Sequence, residues 1–496
     1  MNTMWLTFPV VMSLLTAVIA FGMRHQRKHI NILSLSCALF VLLSSLMLFG
    51  QVYKDGIQSV FLGSWIAPFG IVFVADLLSV MLVVVTAIIG LMVIVYAMAD
   101  LQYKASYGLY HVFFHILLAG VYGAFLTGDI FNLYVWFEVM LIASFGLMVI
   151  DADKKQINGA IKYVSLNLIS TLVLLLAIGL LYGSTGTLNF ADLHYKTLNI
   201  ELDVKAMLII MLLFSFAIKS AVFPLFFWLP DTYPGLPSAT ASLFAGLLTK
   251  VGVYVLVRIF TLIFPLQSSG WQVVLIFIAG MTMLTGVLGA ACQKSIKNIL
   301  SFHIISQIGY MIMGLAIYTP LALAGAIFYI IHHIIVKANL FLIGGVIERK
   351  YGSDRLNAVG GVYKDMPLLA FTFIIPAFSL AGFPPLSGFW GKFMVIKSSL
   401  LSTHYILATV ALLVGLLTIF SMTKIWSEIF WKKSPETQSP VIISKVDYIL
   451  YMTPIASLAI LTLVIGFSAE FFFQLAMASA EQLLNSDEYI RAVLGR

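Results

Sequence analysis

Ala381-Gly382-Phe383-Pro384-Pro385-Leu386-Ser387-Gly388-Phe389-Trp390-Gly391-Lys392 sets paired prolines and a lysine inside an apolar run that spans 367–400. A proline removes a backbone hydrogen bond and breaks a helix. Within a bilayer the freed carbonyls are tolerated only against protein or a water-filled cavity. A second break of this kind begins at Phe223-Pro224-Leu225 and continues through Leu229-Pro230-Asp231-Thr232-Tyr233-Pro234-Gly235-Leu236-Pro237. It follows another lysine, Lys219, and lies five apolar runs earlier. A proline kink alone would explain one break. Two breaks, each beside a lysine, point to an inverted-repeat transporter with its path near the midplane.

Working outward, apolar runs recur from end to end. They fall near 4–23, 30–50, 70–97, 107–127, 130–150, 160–182, 205–228, 239–263, 271–291, 299–318, 321–347, 367–400, 405–426 and 448–475. A bilayer core of about 30 Å needs roughly 20 apolar residues per helix. The expectation is an all-α polytopic membrane protein of about fourteen spans. Strands are not expected, because the runs are continuously apolar rather than alternating. The whole chain agrees: 61% of its 496 residues are hydrophobic and 10% charged, with a mean hydropathy of +1.03. A soluble domain is about a quarter charged, so a soluble enzyme, a disordered chain and a nucleic-acid binder are excluded. Two isolated cysteines, Cys37 and Cys292, make neither a disulfide framework nor an iron–sulfur cluster. No cofactor is expected.

Basic residues set the orientation. The first apolar run is followed, not preceded, by Arg24, Arg27 and Lys28, so it does not read as a cleaved signal peptide. Placing that cluster in the cytoplasm puts fifteen basic residues in cytoplasmic loops: Arg24, Arg27, Lys28, Lys104, Lys154, Lys155, Lys294, Lys297, Arg349, Lys350, Arg355, Lys364, Lys432, Lys433 and Lys445. Five fall outside: Lys54, Lys196, Lys205, Arg491 and Arg496. This positive-inside bias predicts both termini external. The loop near 183–204 reads as a small ordered excursion on that side.

Ionisable residues deep in a span are costly and mark transport paths. Glu138 sits mid-run in Phe131-Asn132-Leu133-Tyr134-Val135-Trp136-Phe137-Glu138-Val139-Met140-Leu141, and Lys219 in Phe214-Ser215-Phe216-Ala217-Ile218-Lys219-Ser220-Ala221-Val222. Lys250, His332, His333, Lys337 and Lys392 also lie within runs. Tyr329, His333 and Lys337 form an i, i+4, i+8 stripe on one helix face, and His303, Ser306 and Gln307 share another polar face. Lysines near helix ends snorkel to the headgroups, which accounts for Lys205, Lys424 and Arg258 without a function. A membrane histidine can serve only to join helices. Asp76 reads as lying inside the third span, equally a structural or a functional carboxylate, and Asp129 as a helix-start residue. A cation cage would be built of carboxylates and carbonyls. Lysines with one carboxylate instead suit a proton relay: burial loosens a lysine's proton and a nearby carboxylate secures it.

At these residues the chain resembles a known family. Thr127-Gly128-Asp129-Ile130-Phe131-Asn132-Leu133-Tyr134-Val135-Trp136-Phe137-Glu138, Trp228-Leu229-Pro230-Asp231-Thr232-Tyr233-Pro234-Gly235-Leu236-Pro237-Ser238-Ala239-Thr240 and Gly382 to Lys392 are similar to the antiporter-like subunits of respiratory complex I and the multisubunit Mrp Na+/H+ antiporters. Within that family Trp65-Ile66-Ala67-Pro68-Phe69-Gly70-Ile71-Val72-Phe73-Val74-Ala75-Asp76 and Glu138-Val139-Met140-Leu141-Ile142-Ala143-Ser144 most resemble the D-type branch of the Mrp subunits. The A-type branch is much longer, and the complex I counterpart usually carries glutamate where Lys392 stands.

The resemblance implies fourteen helices, with helices four to eight and nine to thirteen as inverted repeats and helices seven and twelve broken. It divides the chain into 1–106 (helices one to three), 107–263 (first repeat), 271–426 (second repeat) and 427–496 (helix fourteen and an external tail). It makes Glu138 and Lys219 an ion pair, Lys250 the central lysine, Lys392 the terminal lysine, and His332, His333 and Lys337 the polar positions of helix eleven. The implied activity is cation (Na+)/H+ antiport in a bacterial plasma membrane, with the A, B, C, E, F and G components of the Mrp antiporter as partners. The alternative is a proton-pumping subunit of complex I or a membrane-bound hydrogenase. No carboxylate cluster reads as a sodium site, and the sequence leaves open whether sodium crosses in this chain or in another component of the assembly.

Overall fold

The computed structural model describes every residue except 1–3, 103, 152, 267–269, 436–439 and 496, and leaves the Lys155 side chain aside. The Lys155 side chain and Arg496, counted in the charge bias, therefore lie outside what is described. Twelve helices are long and apolar enough to cross a membrane, some running on into a short irregular turn. They are α1 (Met4–Gly22), α2 (Arg27–Asp55), α3 (Leu77–Asp100), α4 (Tyr107–Leu126), α5 (Ile130–Val149), α6 (Lys154–Thr185), α10 (Ser238–Arg258), α11 (Trp271–Cys292), α12 (Ile296–Ile317), α13 (Pro320–Tyr351), α17 (Tyr405–Ile425) and α18 (Lys445–Phe467). Two more spans are broken. One joins α8 (Leu202–Ser220) to the short α9 (Trp228–Thr232), and the other joins α15 (Pro367–Ala381) to α16 (Ser387–Leu401). With these the chain makes fourteen spans, and the broken ones are the seventh and twelfth. Short helices α7 (Phe190–Lys196) and α14 (Val362–Asp365) ride on connections, and α19 (Ala469–Leu484) and α20 (Ser486–Leu494) follow the last span.

The order of three continuous spans, one broken and one continuous occurs twice, as α4–α10 and α11–α17. Five is odd, so the second set enters from the opposite face and the repeats are inverted. Fourteen is even, so both chain ends lie on one face, called here the terminal face.

Caps explain where the helices begin. Asp76 accepts from Ser79 N at 2.9 Å, and Ser79 Oγ returns to Asp76 N, a reciprocal box that starts α3. Asp129 caps α5 by accepting from Asn132 N at 2.7 Å. Thr319 caps α13, with Pro320 in its first turn. On the opposite face, burial pushes the Asp151 carboxyl up, but hydrogen bonds from Lys104 and Ser106 outweigh it and hold it below the usual carboxylate range.

Three expectations are corrected. A two-stranded antiparallel hairpin is present, β1 (Gln58–Phe61) against β2 (Val72–Ala75). Each strand has only four residues, and neither alternates: β1 runs from polar Gln58-Ser59 to apolar Val60-Phe61, and β2 is apolar throughout. The third span accordingly starts at Leu77, and Asp76 is its cap rather than an interior residue. The last span ends at Phe467, and the apolar residues after Ser468 belong to α19, whose Leu475, Ala476, Ser479, Ala480 and Leu483 are buried.

Candidate functional site

Both breaks turn the chain through a left-handed residue that closes the first half-helix. In the first, Ala221 has φ 54° and Val222 N donates to Ala217 O at 3.1 Å. In the second, Gly382 has φ 92°, and its N–H and that of Phe383 both reach Phe378 O. Each half-helix therefore ends in the middle of the protein, its carbonyl dipoles pointing at buried polar groups.

Lys219 occupies the last turn of α8 and is 6% exposed. Its Nζ lies 4.6 Å from the centre of the Phe137 ring. It borders a cavity of ≈ 20 Å³ lined also by Asn167, Tyr163 and Trp228, about the space one water needs. Among the described residues its ammonium makes no hydrogen bond and no ion pair within 4.0 Å. Glu138 is within electrostatic reach of Lys219 but does not touch it. The expected ion pair is thus not closed in this conformation. Glu138 also differs from the other six positions in being only partly buried. It stands on a lateral face of α5 beside the exposed Val135 and Ile142, and its Oε1 has no hydrogen-bond partner among the described residues.

Lys250, in the middle of α10, is fully buried and donates to Ala245 O of its own helix. Across from it, His333 on α13 is fully buried, and neither ring nitrogen has a partner among the described residues. His333 is within electrostatic reach of Lys250, Lys337 and Lys392. Lys337 donates to Leu300 O at 3.1 Å. His332 Nδ1 lies 2.8 Å from Ser387 Oγ, which lies 3.0 Å from Ser379 Oγ across the second break. Lys392 donates to Leu380 O at 2.8 Å and Ala381 O at 3.3 Å, the freed carbonyls of α15. Its ammonium sits 4.7 Å from the Tyr310 ring centre. Beyond it a groove of ≈ 790 Å³ between α16 and α17 opens to the lateral surface.

The seven sequence-derived positions therefore form two groups. Glu138 and Lys219 stand at the first break. Lys250, His333, Lys337, His332 and Lys392 connect α10 through α13 to the second. Ser220 follows Lys219 on α8 and Thr249 precedes Lys250 on α10. Both hydroxyls are buried and have no hydrogen-bond partner among the described residues, and α8 and α10 meet so closely that a Cβ on Gly252 would stand 2.5 Å from Ser220 Oγ. Sequence reasoning passed over these hydroxyls, as it did Tyr310, Ser379 and Ser387. Only Ser220 and Ser387, inside quoted stretches, carried a signal. The polar face of α12 is buried too: His303 Nε2 lies 2.6 Å from Ser421 Oγ, and Gln307 accepts from Tyr329 OH.

Two snorkelling assignments also change. Arg258 is buried and ion-paired with Asp76 instead of reaching headgroups. Lys424 turns to Ala291 O at 3.0 Å and Gln293 O at 2.9 Å, closing the end of α11. Among the described residues no cluster of three or more metal-ligating side chains occurs.

Residues 127–418 match the family model described as NADH:quinone oxidoreductase/Mrp antiporter, TM. The chain is 46% identical over 480 residues, 96% of each chain, to the D subunit of the Na+/H+ antiporter of Alkalihalophilus pseudofirmus. It is 37% identical to the protein of the same name in Bacillus subtilis, over 98% of each. Its fold is similar to that of a chain in the Mrp complex from Dietzia sp. DQ12-45-1b, with TM-score 0.93, 33% identity and 99% of each chain covered. A chain of respiratory complex I from Thermus thermophilus shares the fold at TM-score 0.81 and 22% identity, covering 98% of this chain and 100% of that one. The chain therefore belongs to the NADH:quinone oxidoreductase/Mrp antiporter family of polytopic membrane proteins.

Proposed function

We propose that the chain is the proton-translocating D subunit of a multisubunit Na+/H+ antiporter, assembled with the A, B, C, E, F and G components in a bacterial plasma membrane. One observation carries this reading. A line of buried basic groups runs from Lys250 through His333 and Lys337 to Lys392, with the Glu138–Lys219 pair at its head and no fixed anion within 4.0 Å of any of them among the described residues. Burying a cation without a partner is costly, and a chain keeps such groups where they exchange protons. α4–α10 and α11–α17 act as the two translocation units, and the terminal face is external, because fifteen basic residues crowd the other side against five.

Glu138 sits on the lateral surface, the position from which a neighbouring subunit can bias it. When Glu138 draws Lys219 towards it, Lys219 keeps its proton. When the two part, Lys219 loses that support and passes the proton on through Ser220, Thr249 and water to Lys250. The 46% likeness to an antiporter component, against a 22% likeness of fold to complex I, favours antiport over a redox-driven pump.

The test is Na+-driven proton exchange in everted vesicles carrying the whole complex. Lys219→Ala and Glu138→Ala are each expected to reduce exchange to background with the complex still assembled. Exchange by the Lys219→Ala complex at the native rate rejects the relay.

A further inference from the structure

Lys250, Tyr254 and Arg258 lie at i, i+4 and i+8 on α10, a single stripe that climbs roughly 12 Å from the central lysine to the terminal face. The stripe ends in a closed cluster. Arg258 pairs with Asp76, the cap of α3, and its Nε donates to Tyr254 Oη at 3.1 Å. Tyr254 Oη donates in turn to Phe125 O at 2.8 Å. The ring of Tyr489, on α20, covers the guanidinium at 5.5 Å. Every member is buried.

Neighbouring segments are tied to one another around this end of the stripe. α10 does not end in an ordinary turn but passes into a π-helical turn, Ile259–Ile263, a distortion that recurs at functional sites. His194 Nδ1 lies 2.7 Å from Leu262 O within that turn, and its Nε2 lies 3.4 Å from Ser486 Oγ of α20. Gln482 of α19 accepts from Leu77 N at 3.0 Å, and Ser59 of β1 donates to Ala492 O at 2.7 Å. The C-terminal strap thus lies across the mouth of the stripe.

We propose that the Arg258–Asp76 pair is the gate on the terminal-face side of the Lys250 relay. Arginine does not release its proton in proteins, so Arg258 cannot be a relay station. A fixed positive charge in a narrow, water-poor passage instead repels protons and metal cations. Asp76 holds Arg258 at the terminal-face end of the stripe, where the cluster is closed. Movement of the pair away from Tyr254 opens a route from Lys250 past the Tyr254 phenol, and bares a carboxylate to receive the proton. This assignment rests on the relay reading given above.

The test uses the whole complex in vesicles with an imposed pH gradient and no sodium. The double variant Asp76→Asn/Arg258→Gln removes both charges, so neither is left stranded. Its gradient is expected to collapse about tenfold faster than the native one, equivalent to ~1.4 kcal/mol of lost barrier. Arg258→Lys keeps the charge and is expected to hold the gradient. Adding Lys250→Met to the double variant is expected to stop the leak. Should the amide pair not assemble, Asp76→Leu/Arg258→Met gives an apolar pair for the same assay. A neutral pair that holds the gradient like the native complex overturns the gate, and so does a leak that survives Lys250→Met. Native exchange by Lys219→Ala rejects the relay by itself, so the two failures are distinguishable.

Discussion

The two broken spans solve one problem in different ways. Each must satisfy the carbonyls freed at the end of its first half-helix. In the seventh span backbone N–H groups and an indole do this: Ala221 N donates to Ile218 O and Val222 N to Ala217 O, each at 3.1 Å, and Trp228 Nε1 adds a second donor to Ile218 O at 3.1 Å. Lys219, one residue on, is left without a hydrogen-bond partner among the described residues. In the twelfth span the ammonium of Lys392 caps the half-helix itself, through Leu380 O and Ala381 O. The first lysine is held only by the face of Phe137 and the field of Glu138, while the second is held by carbonyl dipoles that favour its charge. A lysine bound by nothing else responds to a moving carboxylate, and one bound by two carbonyls keeps its place. On the proposed relay, the first break would switch and the second hold.

The harshest way to break this comparison is to part the halves of the twelfth span. A Cβ on Gly388 would stand 1.9 Å from Ser379 O, which is backbone, and 2.7 Å from His332 Nε2. No side-chain movement relieves the backbone contact, so α15 and α16 have to separate. Gly388→Ala is expected to abolish assembly of the complex, measured as its recovery from detergent extracts. Full recovery would mean that the halves are not wedged as described.

A sharper contrast comes from removing each lysine in turn. Lys392→Met strands two buried carbonyls, and an unpaired buried group costs about 1–3 kcal/mol. Lys219→Met strands none, and it removes an uncompensated buried charge. Thermal unfolding of the assembled complex is expected to shift down for Lys392→Met and to stay level or rise for Lys219→Met, with antiport lost in both. Equal destabilisation would erase the distinction between a holding and a switching lysine.

Much of this was legible in the chain. Apolar length alone marked all fourteen spans, because a bilayer imposes one length on every helix. Clustered prolines marked the two that break, whereas the single prolines Pro9 in α1 and Pro454 in α18 sit inside continuous spans. What stayed hidden was pairing between distant segments. Arg258 near a helix end reads as a snorkelling residue until Asp76, 182 residues away, is seen beside it. The hairpin was hidden because Val72–Ala75 is as apolar as the helix that follows. The distance between Glu138 and Lys219 is a property of the conformation, and residue types say only that the two are suited to meet.

The finest test addresses the indole that frees Lys219. Trp228 is buried, packed edge-on against Tyr163 with ring centres 5.3 Å apart, and its Nε1 is the side-chain donor to Ile218 O. Trp228→Phe keeps an aromatic ring and removes that donor. The lost hydrogen bond is worth about 1 kcal/mol, a modest fall in unfolding temperature. The informative consequence concerns Lys219, because Ile218 O, left with the Ala221 N–H at 3.1 Å as its remaining donor, has a lone pair free to compete with Glu138 for the ammonium. A lysine drawn to a carbonyl becomes a holding lysine like Lys392. Antiport by Trp228→Phe is expected to slow more than its stability falls. A variant that loses stability but exchanges sodium at the native rate would show that the freedom of Lys219 does not depend on its neighbour's cap.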